Sequence, residues 1–206
     1  MRATRRSSIA PIVILATIAI ALMPAPLEAH LVTTGLGPVY DGITHVALSP
    51  DDLVAVLALA LLAGMNGAAA GRGALFAMTA AWLAGGIAGL VVGEPIVPAT
   101  VPIGSLLVLG ALTALDRRLS PAFVATVAAA VGLLHGWLNG AGIAESGRET
   151  MGLAGIGATV FVIVALVAAL VTSLRAAWMR IAVRVAGSWI AAIGLLMLGW
   201  ALHSRA

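Results

Sequence analysis

From Leu53 to Leu202 the chain passes through a succession of apolar runs, each close to the ~20 residues that an α-helix needs to cross a bilayer. In hydrocarbon, every backbone N–H and C=O must find a partner inside the protein, so only helices and closed barrels can span. Runs of alternating polarity are absent, which argues against a barrel. The chain therefore reads as an all-α integral membrane protein. Composition agrees: 62% of residues are apolar and 9% charged, against about 25% charged in soluble domains. The spans are expected at about 52–68, 74–92, 101–115, 121–143, 151–173 and 185–202. The third is the shortest and is flanked by Pro95, Pro98 and Pro102, so its entry is expected to be irregular.

Residues 1–29 read as a cleaved signal peptide. Arg2, Arg5 and Arg6 precede the apolar stretch Ile9 to Met23, and Pro24-Ala25-Pro26 ends it. Ala29 suits the cleavage site, with Ala25 as an alternative; an uncleaved first helix is the other reading. Cleavage after Ala29 makes His30 the new N-terminus. Residues 30–206 are then one six-helix domain opened by an extracytoplasmic segment, 30–51. Gly35, Gly37, Pro38, Gly42 and Pro50 argue against one continuous helix there. With the mature N-terminus outside, the inner loops carry Arg72, Arg117, Arg118, Arg175, Arg180 and Arg184, and the outer ones only Arg148 and Arg205. That is the positive-inside pattern, and it makes the domain N-out and C-out. The net charge of +3 is explained by this orientation. Scattered through short loops, the arginines form no patch for nucleic acid.

Glycines mark the helix contacts. Gly85, Gly89 and Gly93 recur every four residues, as do Gly132, Gly136 and Gly140. Such spacing bares one helix face and lets another backbone approach closely.

Chemistry has few places to sit. There is no cysteine, so any metal ligands are His, carboxylate, amide or backbone oxygen. His135 lies deep in the fourth span, and Asn139 follows one turn later on the same face. The pair suits a divalent cation or an interhelical hydrogen bond equally well. At the mouth of the first span stand Asp41, His45, Asp51 and Asp52. Ser49-Pro50-Asp51-Asp52 also makes a good helix start, with Ser49 as the cap and the acids at the positive end of the dipole. That structural role leaves Asp41 and His45 unexplained, and their ligand types suit nickel, cobalt or zinc more than calcium or magnesium. Catalysis finds little support. Ser188 lacks a nucleophile-elbow context, and a Ser188/His135 pairing is a distant option.

Over nearly all of its mature length the chain resembles the HupE/UreJ family of bacterial membrane proteins, particularly its second branch. The likeness rests on the run Ala29 to Gly42, on His45 with Ser49-Pro50-Asp51-Asp52-Leu53, on Leu57 to Gly64, on Gly132 to Gly140 and on Arg184 to Gly194. The resemblance implies a secondary permease for nickel or cobalt that serves hydrogenase or urease maturation. It implies no enzyme activity, and a multi-pass place in the bacterial inner membrane. The family's first-helix motif is a His, five residues, then Asp-His. Here His45, Asp51 and Asp52 match it, with Asp52 in place of the last His. His135-Gly136 matches the second His-containing helix, and Asn139 or Glu145 stands in for an acidic residue seen in some relatives. On this reading His30, Asp41 and His45 collect the ion, Asp51 and Asp52 hold it, and His135 with Asn139 pass it inward. The ion is cargo, with no tightly bound cofactor. The partners are the lipid bilayer and the metal, with a homo-oligomer left open. The alternative is a non-transporting accessory protein of the same systems.

Overall fold

The computed structural model describes residues 34–93, 97–145 and 150–204. The signal-peptide reading of 1–29 and His30 lie outside the described residues, as do Glu94, Arg148, Glu149 and Arg205. The described residues form seven helices and no strand: α1 (Pro38–Leu48), α2 (Pro50–Met65), α3 (Ala68–Val92), α4 (Thr100–Leu115), α5 (Pro121–Glu145), α6 (Gly152–Ser173) and α7 (Ala177–His203). Four of them, α3, α5, α6 and α7, are long and apolar enough to cross a bilayer. Taken together as one broken span, α1 and α2 make a fifth candidate. At 16 residues, α4 is ~24 Å long, short of the ~30 Å hydrocarbon core.

The expected spans fall on α2 to α7, with two early starts. The chain turns into α3 at Ala68 and into α7 at Ala177, so Arg72, Arg180 and Arg184 belong to helices and not to loops. The larger difference is α1, which occupies much of the segment expected to be irregular. Its signals are local. Gly37 turns the chain at φ 106°, Pro38 then presets the first helical φ, and Asp41 and His45 sit at the dipole ends that favour them. The helix cannot run on, because a residue before proline is driven out of the α region. Ser49 is extended (φ −93°, ψ 98°), and Pro50 restarts the chain as α2 at 75° to α1.

Small residues bring the helices together. The glycine faces of α3 and α5 meet in step: Gly132 lies on Met78, Gly136 on Trp82 and Gly140 on Gly86. From the other side, Gly85 and Gly89 lie on Leu133 and Trp137. A Cβ at any of these would overlap a backbone carbonyl of the facing helix, which is the close packing the four-residue spacing predicts. Gly93 plays another part, ending α3 at φ +83° with its carbonyl accepting the Trp137 indole N–H at 2.8 Å. Similar contacts join α1 to α6 through Gly42 and Gly155, and α4 to α7 through Gly110, Gly187 and Gly194.

At the end of the bundle where α2 stops, polar groups tie three helices. Asn66 gives its amide to Leu62 O and accepts the Leu119 N–H at 2.7 Å. Arg180 pairs with Asp116, and Arg184 Nε donates to Ala114 O at 3.0 Å.

Gly85→Ala is expected to destabilise the bundle by about 1–3 kcal/mol, because its Cβ meets the Leu133 carbonyl. Gly142→Ala, which points into open space, is expected to be neutral or slightly stabilising. Thermal melts of both variants in the same detergent check this.

Candidate functional site

Where α2 begins, its first turn carries two adjacent acids, and adjacent helix positions point about 100° apart. Asp51 is exposed. Asp52 turns inward and is 4% exposed. A lone carboxylate in such a place is costly, and partners from other helices surround it. Asp52 Oδ1 lies 2.8 Å from His135 Nδ1. Asp52 Oδ2 accepts from Asn139 Nδ2 at 2.8 Å. His45, from the last turn of α1, brings Nε2 to 3.7 Å from the same Oδ2.

These partners are themselves held. The second Asn139 donor reaches His135 O at 2.9 Å. Both Nδ2 contacts are with acceptors, which fixes the amide orientation. His135 Nε2 stands 3.1 Å from Ser105 Oγ on α4, and that hydroxyl is also 2.6 Å from Pro102 O. The Trp82 indole flanks the imidazole, with ring centroids 5.7 Å apart. His45 Nδ1 is 3.4 Å from Ser49 Oγ, so its Nε2 is the nitrogen turned to Asp52. Three helices, α1, α2 and α5, thus meet at one buried carboxylate, with Ser105 of α4 and Trp82 of α3 behind His135.

One atom of the cluster is unsatisfied. Asn139 Oδ1 is buried without a hydrogen-bond partner among the described residues. Buried amide oxygens are nearly always paired, and the fixed amide cannot turn this one away. Trp82 Nε1 and Thr79 Oγ1 on α3 are the other such atoms. Among the described residues, no three or more His, Asp or Glu side chains are already set as a metal cage. The arrangement is a hydrogen-bonded cluster with one spare acceptor. His45 Nε2 and Asp52 Oδ2 lie near the ~3.4 Å separation of two ligands that share a tetrahedral ion at ~2.1 Å.

The structure therefore gathers His45, Asp52, His135 and Asn139, which the sequence had distributed over successive stages of a path. Asp51 is left outside the cluster. Asp41 is engaged by Thr34, whose N–H and hydroxyl both donate to Asp41 Oδ1 at 2.6 Å. Glu145 is exposed at the end of α5. Ser49 does not cap α2 with its side chain, because its hydroxyl is turned to His45. Ser188 gives its hydroxyl to Val185 O, while both His135 nitrogens face Asp52 and Ser105. Sequence reasoning missed Ser105 and Trp82. Ser105 did leave a signal, as a hydroxyl in an apolar run three residues after Pro102. Nothing in the spacing of Trp82 marks it as a neighbour of His135.

Asp52→Ala leaves His135 and Asn139 without their shared acceptor and is expected to cost about 3–5 kcal/mol. Asp51→Ala, on the exposed face, is expected to stay within about 0.5 kcal/mol of the parent. Denaturation in mild detergent compares the two.

A sequence model of the family described as HupE / UreJ protein matches residues 18–197. No curated protein and no solved structure gives a significant match.

Proposed function

The chain belongs to the HupE/UreJ family, and from that premise we propose that this multi-pass helical membrane protein is a secondary permease for a divalent transition-metal cation. Nickel is the first candidate and cobalt the second, supplied to metalloenzyme maturation. The observation that supports this most directly is the orphan Asn139 Oδ1 beside Asp52. A cation is a partner that an unpaired amide oxygen next to a carboxylate favours. His45 Nε2, Asp52 and Asn139 Oδ1 offer one nitrogen and two kinds of oxygen to such an ion, and His135 offers a further imidazole.

The roles follow from what holds each group. Asp52 neutralises charge, and its place between His135 and Asn139 fixes it without help from solvent. His45 sits on α1 and is 14% exposed at its side chain, so it is the outermost member and the first to meet an ion. Ser49 and Ser105 orient the two imidazoles, as the outer partners of metal-binding histidines do. Asp52 stands where the family motif carries a His. A carboxylate there replaces one imidazole with one more negative charge, and shifts preference toward harder ions. His30 and Asp41 remain as collectors upstream in this reading. The cluster lies on the extracytoplasmic side of the bacterial inner membrane, and transport is driven by an ion gradient, the membrane potential or a cytoplasmic sink.

One observation favours a second reading, a non-transporting accessory protein. Both Asp52 oxygens already have hydrogen-bond partners, so the cluster can stand as a structural clamp.

Uptake of radiolabelled nickel by whole cells at limiting concentration separates the two. His45→Ala and His135→Ala are expected to lower uptake by about tenfold or more, while Asp51→Ala retains it. Normal uptake by the His45 and His135 variants at equal expression rejects the permease path. A panel of competing divalent ions then ranks the metals.

A further inference from the structure

At the end of the bundle remote from the cluster, a cleft of about 440 Å³ opens between the start of α3 and the end of α6. Its deeper wall is apolar and mostly small, with Gly71, Leu75, Ala165, Ala168 and Ala169, and Thr172 and Ser173 line it nearer the end of α6. Arg72 and Arg175 stand at its mouth, both exposed. Neither has an ion pair or hydrogen bond among the described residues. Arg180 and Arg184, at the same end, are both engaged, Arg180 with Asp116 and Met65 O and Arg184 with Ala114 O. The α3 N-terminus at Ala68 also borders the cleft, and no side chain caps it. Its first-turn N–H groups are left pointing out of the helix, with the positive end of the dipole behind them.

Depth supplies a second argument. From Ser173, where α6 ends just before Arg175, back to Ala165 is ~12 Å along the helix, close to the ~15 Å depth of one leaflet of the hydrocarbon core. A slot that is apolar at depth and nearly one leaflet deep, with two guanidinium groups unpaired among the described residues and an uncapped helix start at its rim, matches an acyl chain below and a phosphate above.

We propose that this cleft binds one anionic phospholipid, its phosphate held by Arg72, Arg175 and the α3 N-terminus and one acyl chain lying along Ala165 and Ala168. The site is separate from the buried carboxylate cluster and does not depend on the transport reading. The lipid supplies the negative charge that these two arginines lack, and it closes a gap that the small side chains of α3 and α6 leave open. Grooves with basic rims between membrane helices are a recognised setting for acidic headgroups.

The full chain in neutral detergent, titrated with dioleoyl phosphatidylglycerol or dioleoyl phosphatidylcholine and read by native mass spectrometry, tests the proposal. One phosphatidylglycerol is expected to bind with a preference of roughly 25-fold, about fivefold for each arginine. Arg72→Gln with Arg175→Gln is expected to abolish the preference. Ala165→Leu, which fills the slot and leaves the charges, is expected to weaken binding of the same lipid. Equal binding of the two lipids overturns the proposal, as does full preference in the double glutamine variant. An unaffected Ala165→Leu reduces the contact to surface charge and also overturns it. Inorganic phosphate at millimolar concentration is expected not to displace the lipid, and displacement assigns the site to a free anion. If the variants do not fold, the parent still decides: phosphatidylglycerol must raise its melting temperature more than phosphatidylcholine does.

Discussion

A carboxylate inside a bundle surrounded by lipid has to be matched, and the matching of Asp52 organises one end of this molecule. Asp52 comes from α2, His135 and Asn139 from α5, and His45 from α1, with Ser105 of α4 behind His135. Removing a partner from such a group costs more than the pair gains over an apolar core. The helices that meet here are therefore held in one mutual position by the cost of any other. Of the partners, α5 is the best placed, since its glycine face is pressed against α3 and cannot be shifted without separating two backbones.

That division of labour explains where polar atoms are tolerated. The α3–α5 seam needs no side chains and leaves α5 free to turn His135 and Asn139 toward α2. The opposite end of the bundle uses another solution, with Arg180 and Arg184 reaching Asp116 and the Ala114 carbonyl and Asn66 accepting the Leu119 N–H. Between the two ends the core is built of Ala, Leu, Val, Ile, Met and one fully buried Trp82.

Much of the fold could be read from the sequence because bilayer length and glycine spacing are strong one-dimensional signals. The positions of α2 to α7 came from the first, and the second marked the faces of α3 and α5 as close-packing ones without saying that they meet each other. The first helix came from neither, since Gly42 was counted against it; in the fold that glycine serves a close approach to α6 instead. At the site, His135 and Asn139 were legible as rare polar residues one turn apart on an apolar helix. Which of two neighbouring aspartates faces inward was not, because it depends on the direction in which α2 leaves Pro50. Nor did spacing reveal that residues 45, 52 and 135 meet, as the contact joins segments about eighty positions apart.

The bend at Ser49 has a further consequence. Asp52 is anchored to α5, but His45 rides on α1, and α1 is seated on α6 through Gly42 and Gly155. The 3.7 Å between their side chains is therefore a measure of how α6 stands against α5, the helix that precedes it in the chain. A tilt of α6 that carries α1 with it would widen or narrow the cluster's outer edge while its inner edge stays fixed. The aperture is set by a helix that contributes no side chain to it.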